Sequence, residues 1–165
     1  ILFTRYVKEH ISEDIIFVGH DIGGLIGILA NELSPVQGII TLSTSFSFDY
    51  YDFTGKNIDD FEHPELFKIN VNDNTTIVRK DYMGVIDENM IHGILDDTKT
   101  PVMSVFFEED DQISYEKSME ILKSTHSNIE TILLSQVTRF MDTDIESYYI
   151  GNLIDIWSQN KLNTI

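Results

Sequence analysis

Ile15-Ile16-Phe17-Val18-Gly19-His20-Asp21-Ile22-Gly23-Gly24-Leu25 is the stretch on which the reading of this chain turns. An apolar run enters Gly-His-Asp-Ile-Gly, and an apolar helical pattern follows without a linker as far as Leu33. The spacing predicts a strand over Asp14 to Gly19, a very tight turn at Asp21 and a helix over Gly24 to Leu33. Small residues two before and two after Asp21 permit such a turn, and its central side chain then stands clear of the sheet. A helix that begins there aims backbone N–H groups at the turn and favours negative charge developing beside it. A phosphate-cradling glycine loop fits poorly. The spacing is not Gly-x-Gly-x-x-Gly, and a carboxylate at the helix start repels phosphate.

Outward from this unit, short apolar runs alternate with helical patterns, which predicts an α/β fold with a mostly parallel sheet and helices on both faces. Further strands are expected at Gly38 to Ser43, Val102 to Phe107 and Glu130 to Leu134, each nearly continuous in apolar residues, as strands covered on both sides are. Helices are expected at Phe3 to Glu9, Asp87 to Leu95, Tyr115 to Ser124 and Ile145 to Asn160. The stretch from Ser45 to Tyr82 breaks the alternation. It is rich in aromatic, Asp and Asn residues, holds Gly55 and Pro64, and reads as a lid or excursion after the second strand, with a short helix at Asp59 to Lys68. Residues 1–165 are expected to form a single domain, with 45–82 as its lid. Within that stretch Phe46, Phe48, Tyr50, Tyr51 and Phe53 either line a pocket or pack as a half-buried strand. Tyr148, Tyr149 and Trp157 are expected to pack the closing helix against the sheet.

Composition narrows the function. The 165 residues carry 28 acidic and 11 basic side chains, a net charge of −17, 42% apolar content and no cysteine. Such acidity argues against nucleic acid or an anionic membrane as partner, since phosphate binding needs clustered Lys and Arg. Disulfides, thiolate metal sites and thiol nucleophiles are excluded. No apolar run is long enough to span a bilayer. The acidic runs Asp59-Asp60, Asp96-Asp97 and Glu108 to Asp111 lack the alternation around Gly of a calcium loop and read as solvated faces, with no metal expected.

The strand-turn-helix at Gly19 resembles the nucleophile elbow, Gly-x-Ser-x-Gly, of the α/β-hydrolase fold family, with Asp21 at the nucleophile position. Gly19, His20, Ile22 and Gly23 make up the elbow, and the backbone N–H of Ile22 corresponds to one of two oxyanion-hole donors. The segment Pro101-Val102-Met103-Ser104-Val105-Phe106-Phe107-Glu108-Glu109-Asp110 resembles the family's penultimate strand and acid loop. This places the acid at Asp110, with Asp111 as its rival. Where this loop of the family commonly has Gly and Pro, the chain has Phe107 and Ser114. After the last strand, the short-lid relatives often read Asp-His-Arg-Phe, with His as the base. Here the loop reads Val137-Thr138-Arg139-Phe140, so the base position falls on Thr138, or on Arg139 under a shift by one. Neither shuttles a proton near neutral pH. The resemblance implies no cofactor.

Two readings of Asp21 follow from the resemblance. In dehalogenases and epoxide hydrolases of this fold an elbow Asp attacks an alkyl carbon, and water later cleaves the ester. In a degenerate serine hydrolase an Asp is tolerated there, because it accepts unusual backbone angles and suits a helix N-terminus. Both chemistries of the fold need the absent histidine. Of the five histidines, His10, His92 and His126 lie away from the motif. His20 flanks the elbow, and His63 becomes a substitute base if the excursion folds over Asp21.

The resemblance further places Phe3 to Glu9 as the helix before the elbow strand, so earlier strands are expected upstream of Ile1. Ile15 to Val18 would otherwise leave an unpaired ladder, covered by those residues or by another chain. The leading expectation is therefore a relative of ester and acyl hydrolases, weak or inactive with Asp21, Asp110 and Thr138 in place of a working triad, which binds a small apolar ligand or ester. The alternatives are an active hydrolase with Asp21 as nucleophile, and a non-catalytic scaffold pairing through its sheet edge.

Overall fold

In a computed structural model, residues 2–46, 58–60, 66–71, 74–79, 88–110, 113–125 and 129–163 are described, without the side chains of 58–60, 66–71, 74–79, Glu88 and Asn89. In chain order the elements are α1 (Leu2–His10), β1 (Ile16–His20), α2 (Ile22–Leu33), β2 (Gly38–Leu42), β3 (Ile58–Asp60), β4 (Leu66–Val71), β5 (Asn74–Arg79), α3 (Glu88–Asp97), β6 (Val102–Phe107), α4 (Tyr115–Ser124), β7 (Ile129–Leu134) and α5 (Asp144–Leu162). The main sheet is parallel throughout, in the order β1-β2-β6-β7. Ile39 pairs with Val102 and Leu42 with Val105, while Val102 pairs with Ile129 and Phe107 with Leu134.

Alternation along the strands builds two apolar layers. Ile39, Val102 and Phe106 face Leu25 and Ile28 of α2, Ile91 and Leu95 of α3, and Leu122 of α4. Ile40, Leu42, Met103, Val105 and Phe107 pack with Ile150 and Trp157 of α5. Helices therefore cover both faces. The two central strands are buried along their whole length, as expected of interior parallel strands. The outer strands β1 and β7 are only partly buried, with Val18 and Leu133 exposed, so their apolar runs are covered less than their composition predicts. The Trp157 indole N–H donates to Glu130 at 3.0 Å, and Lys161 bonds the same carboxylate, which ties the end of α5 to β7. These contacts, the Lys161 bond foremost, hold the Glu130 carboxyl below its ordinary value.

The excursion differs from its expectation. Ile58–Asp60 and Leu66–Val71 are strands, not parts of a helix over Asp59 to Lys68, and with Asn74–Arg79 they form an antiparallel sheet. The β-branched run Thr75-Thr76-Ile77-Val78 favours strand, and the Val71–Asn74 pairing leaves only Asn72 and Asp73 between β4 and β5, a hairpin spacing. Much of the expected lid at 45–82 lies outside the described residues, as do Phe48, Tyr50, Tyr51, Phe53, His63, Asp111 and His126. Phe46 is in the core, edge-on to Phe106 at 6.4 Å between ring centres. On α5, Trp157 is buried as expected, whereas Tyr148 and Tyr149 are exposed.

Candidate functional site

The carboxyl ends of the four parallel strands gather the candidate residues, the usual place for a site in an open α/β sheet. Asp21 follows β1 with φ 53 and ψ −129, a left-handed backbone for a non-glycine residue. The turn is held from both sides. The Asp21 N–H donates to Leu42 O at 2.9 Å, and the Thr44 hydroxyl donates to Asp21 O at 2.8 Å. A Cβ on Gly19 would lie 2.5 Å from the backbone of Gly23 and Gly24, so the strand and helix can cross this closely only with glycine there. Gly23 faces open space instead. The second tight position is Gly24, whose Cβ would meet the Thr44 hydroxyl and Thr41.

Although Asp21 sits at the N-cap of α2, its side chain makes no capping bond. Its Oδ2 accepts from Arg139 Nη2 at 2.7 Å, and Arg139 Nη1 lies 3.6 Å from Asp110 Oδ1. The Arg139 and Asp110 side chains are 7% and 2% exposed, that of Asp21 30%. Asp110 is anchored further by the Ser43 hydroxyl, which donates to Oδ2, and by the Ile113 N–H, which donates to Oδ1 at 3.0 Å. One guanidinium thus bridges Asp21 and Asp110. Asp21 Oδ1 is buried and has no hydrogen-bond partner among the described residues.

Asp21 and Asp110 therefore come together, but Thr138 does not join them. Its backbone N–H donates to Glu146 Oε1 at 2.6 Å, and its hydroxyl has no partner among the described residues. The side chain between the two carboxylates belongs to Arg139, one residue beyond the unshifted alignment. The cause lies in the loop backbone. Gln136 and Met141 adopt φ 61 and φ 51, Val137 is buried in the core, and the intervening turn delivers Arg139 inward while Phe140 stays exposed. Glu146 fixes this loop to α5. Thr143 and Glu146 form a reciprocal capping box, and the same carboxylate accepts from Thr138. The Thr138 N–H first, and then the Thr143 hydroxyl, hold the Glu146 carboxyl below its usual value. The sequence signal for this anchor, Thr-x-x-Glu at the start of the closing helix, was present at Thr143. Ser43 carries no comparable signal, since its φ of 48 and its aim at Asp110 arise only in the folded chain.

His20 is exposed, and its Nε2 donates to the Arg139 carbonyl at 3.2 Å, joining the elbow to the loop rather than reaching Asp21. His10 stacks on Tyr6 in α1, and His92 lies in α3. None of these three supplies a proton acceptor beside Asp21. Chemically the cluster is two carboxylates sharing one permanent cation. It holds charge in place.

A parallel sheet flanked by helices, with a positive-φ residue at a glycine-lined strand-to-helix turn and an acid after the penultimate strand, is the α/β-hydrolase fold, and this chain has it. Solved structures of that fold superpose on nearly the whole chain. The esterase domain of a Rhodothermus marinus protein matches with a TM-score of 0.75 at 11% identity, covering 96% of this chain and 66% of its own. Est1E from Butyrivibrio proteoclasticus matches at 0.73 and 19% identity, covering 98% and 67%. A monoacylglycerol lipase from Paleococcus ferrophilus matches at 0.64 and 15% identity, covering 97% and 74%. The chain thus spans about two thirds of the length of the first two. No family model and no curated protein sequence matches it.

Proposed function

We propose that this chain is a relative of ester and acyl hydrolases in which an Asp21–Arg139–Asp110 ion-pair cluster replaces the catalytic centre, and that it binds a small, largely apolar ligand or ester without turning it over. The observation that carries this is the Arg139 guanidinium, 2.7 Å from Asp21, on the loop after the last strand, where the resemblance puts the base of the fold. Arginine stays protonated at any pH a protein tolerates, so it takes no proton from a hydroxyl or from water. Its hydrogen bond also draws charge from the carboxylate that would attack. Binding remains available, because holding a ligand needs no proton transfer and so does not depend on a base.

The test is to assay short-chain nitrophenyl esters with the wild-type protein and with two double variants, Asp21→Ser with Arg139→His and Asp21→Ser with Thr138→His. The expected outcome is hydrolysis at the uncatalysed rate for the wild type, and a rate above it only for the Arg139→His pair. Turnover by the wild type would overturn the proposal. Activity confined to the Thr138→His pair would overturn the assignment of Arg139 to the base position.

A further inference from the structure

The segment 138–143, between β7 and α5, is closed by one side chain. Glu146 lies in the first turn of α5 and is buried, and its two carboxylate oxygens accept from opposite ends of that segment. Oε1 takes the Thr138 N–H at 2.6 Å, while Oε2 takes the Thr143 N–H at 2.9 Å and the Thr143 hydroxyl at 2.8 Å. Between these anchorages the Met141 N–H donates to Thr138 O at 3.1 Å, and the Ser147 hydroxyl donates to Met141 O at 3.1 Å. The chain therefore turns back at Arg139, next to the residue that Glu146 grips, and the guanidinium reaches Asp21 and Asp110 while Phe140 stays exposed. A carboxylate serves these donors where an amide of the same shape does not. It accepts at both oxygens, whereas the amide accepts at one and turns its NH2 group toward a second donor. The helix cap alone does not call for the Thr138 bond. Thr143 and Glu146 complete the capping box between themselves, so the reach of Oε1 to Thr138 goes beyond what α5 needs at its N-terminus.

We propose that Glu146 is the positioning residue of the site: by holding the Thr138 N–H it sets the register that puts the Arg139 guanidinium, rather than the Thr138 side chain, between Asp21 and Asp110. When that bond is lost, Arg139 leaves the two carboxylates while the sheet and α5 stay folded. The inference rests on the Asp21–Arg139–Asp110 cluster but not on the absence of turnover, and its test reads the place of Arg139 and no rate of hydrolysis. Around Glu146, Thr138 and Thr143 supply the hydrogen bonds, and Leu133, Leu134, Val137 and Tyr149 share the hollow beside it, Tyr149 being the titratable one of these. Asp142 and Asp144 flank Thr143 and are exposed, and Asp21 and Asp110 face Arg139 from its far side.

The test is nitrogen and proton NMR of the arginine side chains, those of Arg5, Arg79 and Arg139, with the Arg139 signals assigned by their loss in Arg139→Lys. A guanidinium held at both Nη groups by separate carboxylates rotates slowly and gives separate Nη signals, which merge in a free one. Separate signals are expected in the wild type near neutral pH. Glu146→Gln is expected to merge them. Thr143→Ala removes the hydroxyl of the cap but leaves the Thr138 bond, and is expected to keep them separate while lowering the thermal midpoint. Separate signals in Glu146→Gln, or equal merging in Thr143→Ala, would overturn the proposal, since the carboxylate would then only cap α5. A titration of the wild type needs no substitution. As pH falls, the Thr138 amide proton and the Arg139 Nη signals should change together, at a midpoint below the ordinary glutamate value, the side on which the Thr138 N–H holds that carboxyl. Arg139 signals that stay separate after the Thr138 amide has shifted would overturn the proposal, and so would signals that merge before it, which would assign the release to Asp21 or Asp110. Merged signals in the wild type at neutral pH would remove the cluster itself, and with it both this proposal and the ion pair on which the proposed function stands.

Discussion

Arg139 carries a charge that it cannot lose, and it does so with 7% of its side chain exposed, between Asp21 and Asp110. A buried ion pair of this kind adds little net stability, because desolvation offsets attraction, but removing one partner strands the other. Arg139→Met leaves two carboxylates facing each other in a buried site. It is expected to lower unfolding free energy by about 3–5 kcal/mol in urea titrations. Asp21→Asn, at the more exposed end of the cluster, should cost less. Equal and small losses for both would show that the guanidinium is not held as described. At this scale the sequence was partly legible. Asp21 and Asp110 stood out by motif spacing, and the lack of a histidine was plain. That the Arg139 side chain, not that of Thr138, lies between them was not, because it depends on left-handed residues at Gln136 and Met141, neither of which is glycine.

Two elements hold the cluster together, the elbow crossing and the loop between β7 and α5. At the elbow, Gly19→Ala would press a methyl group into backbone atoms at 2.5 Å that have no rotamer by which to yield. A loss of about 1–3 kcal/mol or more is expected, while Gly23→Ala, which meets nothing, should be far milder. In the loop, Glu146 is bound by Thr138 and Thr143, and its carboxyl titrates below its unfolded value. The stabilisation is therefore full above the unfolded value and is lost as pH falls through the folded one. Thermal midpoints of wild type and Glu146→Gln should differ near neutral pH and converge on the acid side of the ordinary glutamate range. A gap that stays constant to low pH would contradict the role given to this carboxylate. Elements were the most legible scale. The four parallel strands and the helices after β1 and β6 lie within a few residues of their expected bounds, because their apolar periods are long and uninterrupted. The helix expected at Asp59 to Lys68 failed for the opposite reason. That stretch has no 3.6-residue period, and antiparallel pairing with β5 decides its state.

Over the whole molecule, the α/β-hydrolase fold surrounds an Asp21–Arg139–Asp110 ion-pair cluster at the carboxyl end of its sheet. The strand order, the positive φ at Asp21 and the placement of Asp110 are those of the fold, and solved esterases and lipases superpose on it at 11–19% identity. Fold was readable from sequence because it rests on strand spacing and one glycine-lined turn, which tolerate extensive change elsewhere. The site was less readable, since the side chain that lies between Asp21 and Asp110 depends on the register of the loop after β7. The net charge of −17 adds no catalytic power and instead shapes what can approach the surface. The most direct test of the central claim is the rate of hydrolysis of nitrophenyl esters and haloalkanes by the wild-type protein beside Asp21→Asn. Identical rates at the uncatalysed background are predicted for both, whereas wild-type turnover that Asp21→Asn abolishes would contradict the account.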